Sequence, residues 1–319
     1  MSGPNDASGL VGGPITRHGG KGVNAPRLLP HFAPARVYAE PCFGAGGMFF
    51  RIPEGTYERE AVNDLDRSLV TFFRVLRDRP DDLARVVAAT PYAREEFVAC
   101  LTRSDDELEE ARRVWVRSRQ GFAGKASTAG DWGRNPGGCN GAPWLPSVAE
   151  SKRASLPLYA ARLRRVAIDC VDAVDFVERW GLAGTMVYAD PPYVAGTRSG
   201  DCYEHEMDDG HHRRLAAALR GAADKGAKVA VSGYPSALYD ELFAGWRTVE
   251  MDVALVGARD ATAQRRTEVL WCSYPREQSF AGIAAAQTNA RQPSLFMGAA
   301  TGPAPATDRL TTPRARRPA

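Results

Sequence analysis

Apolar positions along the chain fall into two periods that alternate. Short runs with β-branched or aromatic character, at residues 36–39, 60–63, 166–168, 185–189, 228–232, 249–256 and 267–273, have the length of buried strands. Between them lie stretches in which apolar residues recur every three to four positions. Ser68 to Leu76 places Leu69, Phe72, Phe73 and Leu76 on one face. The same spacing predicts helices over 81–89, 94–101, 105–119, 156–165, 173–180, 208–223 and 235–243. Ser104-Asp105-Asp106-Glu107 reads as a capping box for the 105–119 helix, which ends in arginines as the helix dipole favours. Strands alternating with helices call for an α/β fold with a mostly parallel sheet, and the two adjacent final strands predict an antiparallel hairpin at its edge.

Within that pattern, residues 17–80 and 166–275 read as one catalytic domain interrupted by an insertion at 81–165. Residues 1–16 and 276–319 are expected to be disordered ends. Composition changes the picture mainly through charge. The net charge is only +3, but residues 111–165 hold eleven Lys/Arg against two acids and residues 276–319 hold six against two, so the remainder carries −10. A basic insertion beside an acidic remainder suits a chain that grips a polyanion with one part only. A solvated charged face is the plainer reading of such a run. Phe122, Trp132 and Trp144 are interleaved with Lys125, Arg134, Lys152 and Arg153, a mixture fitted to phosphates and unstacked bases. The aromatics could equally form a small core of the insertion itself.

No run of about eighteen apolar residues occurs, and the N-terminus lacks the progression of a signal peptide, so a membrane span and export are not expected. Six scattered cysteines without a Cys-x-x-Cys pair point to free thiols in a reducing cytoplasm. Cys202, His205, His211 and His212 lie close together but match no zinc spacing, and no metal is expected.

Three stretches carry candidate chemistry. The first is Gly19-Gly20-Lys21, where glycines allow close backbone approach and lysine supplies a point charge. Next, the strand at 36–39 runs into Glu40-Pro41-Cys42-Phe43-Gly44-Ala45-Gly46-Gly47, a glycine-rich turn of the nucleotide-cofactor kind. Asp64, twenty residues after Gly44, is placed for ribose hydroxyls, common to NAD and S-adenosylmethionine. Only the Gly-x-Gly part of the dinucleotide fingerprint is present, so hydride transfer is poorly supported. The third stretch ends the strand at 185–189 with Asp190-Pro191-Pro192-Tyr193. Two prolines stop the ladder and present an acceptor carboxylate, a carbonyl and an aromatic ring at the sheet's carboxyl edge. These groups suit a planar base with an exocyclic amino group, although four residues alone could be only a turn.

Taken together, Gly19-Gly20-Lys21, Glu40 to Gly46, Asn63-Asp64, Asp190-Pro191-Pro192-Tyr193 and Arg266-Thr267-Glu268 with Leu270 resemble the DNA adenine methylases of the S-adenosylmethionine-dependent class. The order of cofactor loop, basic insertion and tetrapeptide is also that family's. The resemblance implies a Rossmann-like methyltransferase with target recognition in the insertion, acting on double-stranded DNA, with S-adenosylmethionine as cofactor. It implies that Arg17, Lys21, Glu40, Pro41, Phe43, Gly44, Ala45, Gly46, Asp64 and Asp190 bind the cofactor, with Arg17 standing where the family carries an aromatic. It implies that Asp190, Pro191, Pro192 and Tyr193 act on an adenine turned out of the duplex, with Tyr193 stacking on the base. Lys125, Trp132, Arg134, Lys152 and Arg153 are the expected nucleic-acid contacts, and a monomer is expected. Methylation of cytosine N4, RNA or protein glutamine, or a DNA-binding remnant without catalysis, are the competing readings. Pro41-Cys42 looks like the nucleophile of cytosine-5 methyltransferases, but its place inside the glycine turn favours packing over attack.

Overall fold

The computed structural model of the chain describes residues 10, 12–17, 19–121, 128–133, 145–194, 207–254, 265–291 and 308–310. Its centre is one sheet built from β1 (Val37–Glu40), β2 (Arg59–Asn63), β3 (Val166–Asp169), β4 (Thr185–Ala189), β5 (Lys228–Gly233), β6 (Arg247–Ala254), β7 (Arg265–Cys272) and β8 (Asp308–Leu310). The spatial order is β3-β2-β1-β4-β5-β7-β6-β8. Strands β3, β2, β1, β4 and β5 run parallel, and β7 lies antiparallel to both β5 and β6. The expected hairpin therefore exists, with its second strand tucked inside and β6 outside. The three-residue β8 adds to β6 in parallel.

Apolar side chains are divided between the two sheet faces. On one lie α1 (Ala25–Leu28), which precedes β1, and α2 (Arg67–Asp78), α3 (Pro80–Ala88), α4 (Arg94–Ala99), α5 (Glu107–Gln120), α6 (Leu145–Ala154) and α7 (Leu156–Leu163), which fall between β2 and β3. Phe72, Phe73 and Leu76 of α2, Val114 and Trp115 of α5, and Leu156 and Tyr159 of α7 join Tyr38 and Tyr188 of the sheet in one cluster. Residues of 81–165 therefore share one core with the sheet, because a basic stretch with its own apolar helix faces must bury them against something. On the opposite face α8 (Ala173–Trp180), α9 (Asp209–Asp224) and α10 (Ala237–Leu242) cover Val187, Val229 and Val231.

Three expectations need correction. The 105–119 helix is capped by Asp106, whose carboxylate accepts the Glu109 N–H at 2.8 Å, while Ser104 Oγ accepts the Asp106 N–H one step earlier. The expected disordered tail contains α11 (Phe280–Arg291). The Phe280 N–H donates to the Phe32 carbonyl at 2.8 Å and its ring meets Tyr57 at 6.4 Å. At the other end, Leu10 and Ile15 are buried, and the Gly12 and Gly13 carbonyls accept from Tyr159 and Lys152. Polar composition concealed both attachments, since each depends on one or two apolar anchors in an otherwise weakly patterned segment.

Candidate active site

In this sheet the direction of crossing changes between β1 and β4, so their carboxyl ends diverge and leave a crevice, the usual ligand position in an open α/β sheet. A cleft of about 420 Å³ opens there. One wall runs from Glu40, the last residue of β1, through the turn to Met48; the others are Arg17 with Gly19 to Lys21, Asn63 to Leu65 at the end of β2, Asp172 and Ala173 at the start of α8, Asp190 and Pro192 after β4, and Met207 with His211 before and within α9.

The glycine turn has the shape its composition requires. Gly46 has φ +71°, and a Cβ there would lie 2.7 Å from the Phe50 ring. A Cβ on Gly47 would come within 2.7 Å of the Gly22 nitrogen, so the turn packs directly on the segment that carries Lys21. Phe43 is buried among Phe49, Phe50 and Phe73 and anchors the turn from below. Asp64 clamps it from the side, its two oxygens accepting the Gly44 N–H at 2.7 Å and the Asp66 N–H at 2.9 Å. Burial raises its carboxyl above the usual aspartate range. Asn63 closes the seam behind by donating to the Pro41 and Val171 carbonyls. Beside these, Leu65 is 48% exposed although large and apolar, and it lines the cleft.

Arg17 reaches Asp66, the cap of α2, at 2.9 Å. Burial works against the charge on Asp66, but Arg17 and the Leu69 N–H more than compensate and hold its carboxyl below the usual range. Glu40 is buried at 2% exposure and accepts from the Tyr38 hydroxyl at 2.7 Å; burial pushes its carboxyl well up. Burial also pushes the Cys42 thiol well up, which removes it as a nucleophile at ordinary pH.

The tetrapeptide is the centre of the densest polar network. Asp190 Oδ2 accepts from Lys21 Nζ at 2.7 Å and Oδ1 from Ser232 Oγ at 2.7 Å, while Ser232 also meets the Tyr188 hydroxyl at 2.9 Å. Burial raises the Asp190 carboxyl, opposed by Lys21 and Ser232 and reinforced by Glu268. Lys21 lies 3.4 Å from Glu268 Oε1 and 4.8 Å from the centre of the Tyr193 ring. Tyr193 donates its hydroxyl to Glu268 at 2.6 Å and meets the Tyr234 ring edge-on at 4.5 Å. Pro192 lines the cleft; Pro191 and Tyr193 are buried, so the ring is fixed before any base arrives.

Lys21, Glu40, Pro41, Phe43, Gly44, Ala45, Asp64, Asp190 and Arg17 are thus brought to one cleft, and Gly46 shapes its turn. Ser232, Tyr234 and Glu268 were assigned no role from sequence, yet they complete the network. The available signal was positional: Ser232 and Tyr234 end β5 beside the tetrapeptide strand, and Glu268 interrupts an apolar strand with a buried charge. The expected nucleic-acid contacts are not gathered in this way. Lys125 and Arg134 lie outside the described residues. Trp132 leans on the core and on Tyr92 at 6.0 Å, and Arg153 pairs with Glu150 on its own helix. Lys152 points to the N-terminal segment, donating to the Tyr159 hydroxyl at 2.9 Å and the Gly13 carbonyl at 3.3 Å. The described residues contain no group of three or more potential metal ligands; His211 bonds Asp208 and His212 meets Tyr239, while Cys202 and His205 lie outside them.

Comparison with known proteins adds sequence relatives to this geometry. The family model of the D12 class N6 adenine-specific DNA methyltransferases matches residues 18–254. The type II methyltransferase M1.LlaDCHI of Lactococcus lactis subsp. cremoris is 25% identical over 269 residues, covering 78% of this chain and 92% of that one. A DNA adenine methylase of Vibrio cholerae is 24% identical over 218 residues, covering 66% and 75%. Among solved structures, the rRNA methyltransferase aviRa from Streptomyces viridochromogenes overlaps 83% of this chain and 84% of that one, with 17% identity and a TM-score of 0.31.

Proposed function

Since the chain belongs to the D12 class N6 adenine-specific DNA methyltransferases, we propose that it methylates adenine N6 in double-stranded DNA with S-adenosylmethionine as donor, Asp190 being the residue that receives the amino group. The observation that carries this reading is the position of Asp190: a half-buried acceptor at the end of β4, across one cleft from the glycine turn after β1. The cleft's donor set fits the cofactor. Its lining holds Glu40, Asp64, Asp172 and Asp190 against Arg17 and Lys21, a balance that favours a cation, and Leu65 gives an apolar surface suited to a purine face. When bound, S-adenosylmethionine supplies an electrophilic methyl group on a cationic sulfur.

The chain's own residues then have defined tasks. An adenine amino group is a weak nucleophile because its lone pair is delocalised into the ring. Asp190 and the Pro191 carbonyl accept its two N–H groups, which favours a pyramidal nitrogen with its lone pair directed at the methyl carbon. The surplus proton that the amino nitrogen would carry after accepting the methyl group would leave through its hydrogen bond to Asp190. Burial raises that carboxyl's proton affinity, in the direction proton acceptance needs. Tyr193, held by Glu268 and Tyr234, supplies a fixed aromatic wall for a base turned out of the stack. The basic insertion, through Lys125, Arg134 and Arg153, provides phosphate contacts that offset the few kcal/mol that extrusion costs. Trp132 contributes from its seat on the core, and the chain acts as a monomer.

The test is to incubate duplex DNA with the purified chain and S-adenosylmethionine, digest the DNA to nucleosides and identify the methylated one by mass spectrometry. N6-methyldeoxyadenosine is expected; N4-methyldeoxycytidine alone, or methyl groups only on RNA or protein, would overturn the reading.

A further inference from the structure

Glu268 sits in β7, within the Arg266-Thr267-Glu268 match to which the resemblance assigns no role, and is only 2% exposed. Its carboxylate holds three donors from two other segments. Oε1 accepts the Tyr193 hydroxyl at 2.6 Å and lies 3.4 Å from Lys21 Nζ, and Oε2 accepts the Asn24 amide at 3.1 Å. A buried charge is a poor device for stability, since an apolar residue of similar size in its place is commonly neutral or stabilising. What a carboxylate here does, and an apolar residue could not, is divide the Lys21 ammonium between two acids.

We propose that Glu268 is a positioning residue for methyl transfer: it shares Lys21 with Asp190, so that the Asp190 carboxylate is less neutralised by the ammonium and remains a strong acceptor for the adenine amino group, and it fixes the Tyr193 ring beside it. The inference rests on the adenine-methyltransferase reading. Two carboxylates around one ammonium leave the network at −1. With Glu268 neutral, Lys21 would serve Asp190 alone, and the ion pair would weaken Asp190 as an acceptor. Tyr193 would feel the same loss through its hydroxyl and through the ammonium over its ring.

The groups facing Asp190 set what the pH dependence reports. They are Lys21 from the N-terminal turn, Glu40 at the end of β1 and Cys42 after it, Tyr188 and Tyr193 on its own segment, Ser232 on β5, Tyr239 on α10 and Glu268 on β7. The tyrosines and Cys42 are pushed upward and stay neutral at ordinary pH. The negative charge of Glu268 raises the Asp190 carboxyl, so removing that charge lowers it.

The experiment compares single-turnover methylation of duplex DNA by the full chain and by Glu268→Gln across pH, with thermal melts of both. Glutamine keeps the acceptor for Tyr193, and the Asn24 amide can turn over to accept from it. The expected result is a rate lowered about tenfold, an acid limb displaced downward and little change in DNA affinity. A limb that stays in place with an unchanged rate overturns the proposal while leaving adenine methylation standing; a wild-type chain that does not methylate adenine overturns both. Asn24→Ala covers the case in which Glu268→Gln does not fold. It leaves both acidic charges and removes one support, so the rate should fall several-fold with the limb unmoved, and a wild-type rate in that variant contradicts the inference.

Discussion

Lys152 shows how a single side chain can be assigned to the wrong surface. Among basic neighbours in the sequence it looks like a phosphate contact, yet its ammonium is held by Tyr159 and the Gly13 carbonyl. Burial, with Arg119 and Arg51 close by, lowers it to about 8. An unfolded chain holds that proton to near 10.5, so between those values unfolding takes up a proton and stability rises with pH. Below about 8 both states are protonated and the group's contribution is constant. Lys152→Met should therefore lose its difference in pH dependence below 8, while wild type gains stability relative to it from pH 8 to 10. Urea melts at pH 7, 8.5 and 10 measure this, and parallel curves throughout would show that Lys152 is solvated. Similar reasoning separates Arg17, whose partner is Asp66, from Lys21, whose partners are in the catalytic network.

At the scale of elements, α11 carries a testable consequence of the corrected tail. Phe280 is partly buried against Tyr57 and ties its N–H to the Phe32 carbonyl, beneath the sheet edge opposite the cleft. Phe280→Ala should cost about 1–2 kcal/mol of stability, and ending the chain at residue 275 should cost more. Methyl transfer at low temperature should be retained in Phe280→Ala because its partners Phe32 and Tyr57 do not line the cleft. A truncation at 275 that melts like wild type would show that α11 is only a passenger. The strands and long helices were legible because each buries a face and so displays its period; β4, at Thr185–Ala189, matches the sequence reading at both ends. What escaped was held by few contacts. Helix α6 follows a Gly- and Pro-rich stretch without a cap signal, and α11 and the N-terminal segment rely on anchors such as Phe280, Leu10 and Ile15.

For the whole molecule, the order of the chain and the order of the sheet differ in a way that creates the site. Residues separated by more than two hundred positions, such as Asn24 and Glu268, meet because β7 inserts beside β5 and brings its side chains toward the N-terminal turn. No periodicity or motif spacing encodes such a meeting, which is why Lys21, Glu40, Asp64 and Asp190 received roles while Ser232 was missed and Glu268, though inside the Arg266-Thr267-Glu268 match, received none. Residues of 81–165 are likewise joined to the sheet through one core and to the N-terminal segment through the Gly12 and Gly13 contacts of Tyr159 and Lys152. Among the described residues no helix is long and apolar enough to cross a membrane. The central claim concerns Asp190 and is tested by single-turnover transfer of labelled methyl from S-adenosylmethionine to duplex DNA by Asp190→Ala and Asp190→Asn, with DNA and cofactor binding measured alongside. The account predicts that both variants bind but transfer at least about a hundredfold more slowly. Transfer by Asp190→Ala at close to the wild-type rate would contradict it.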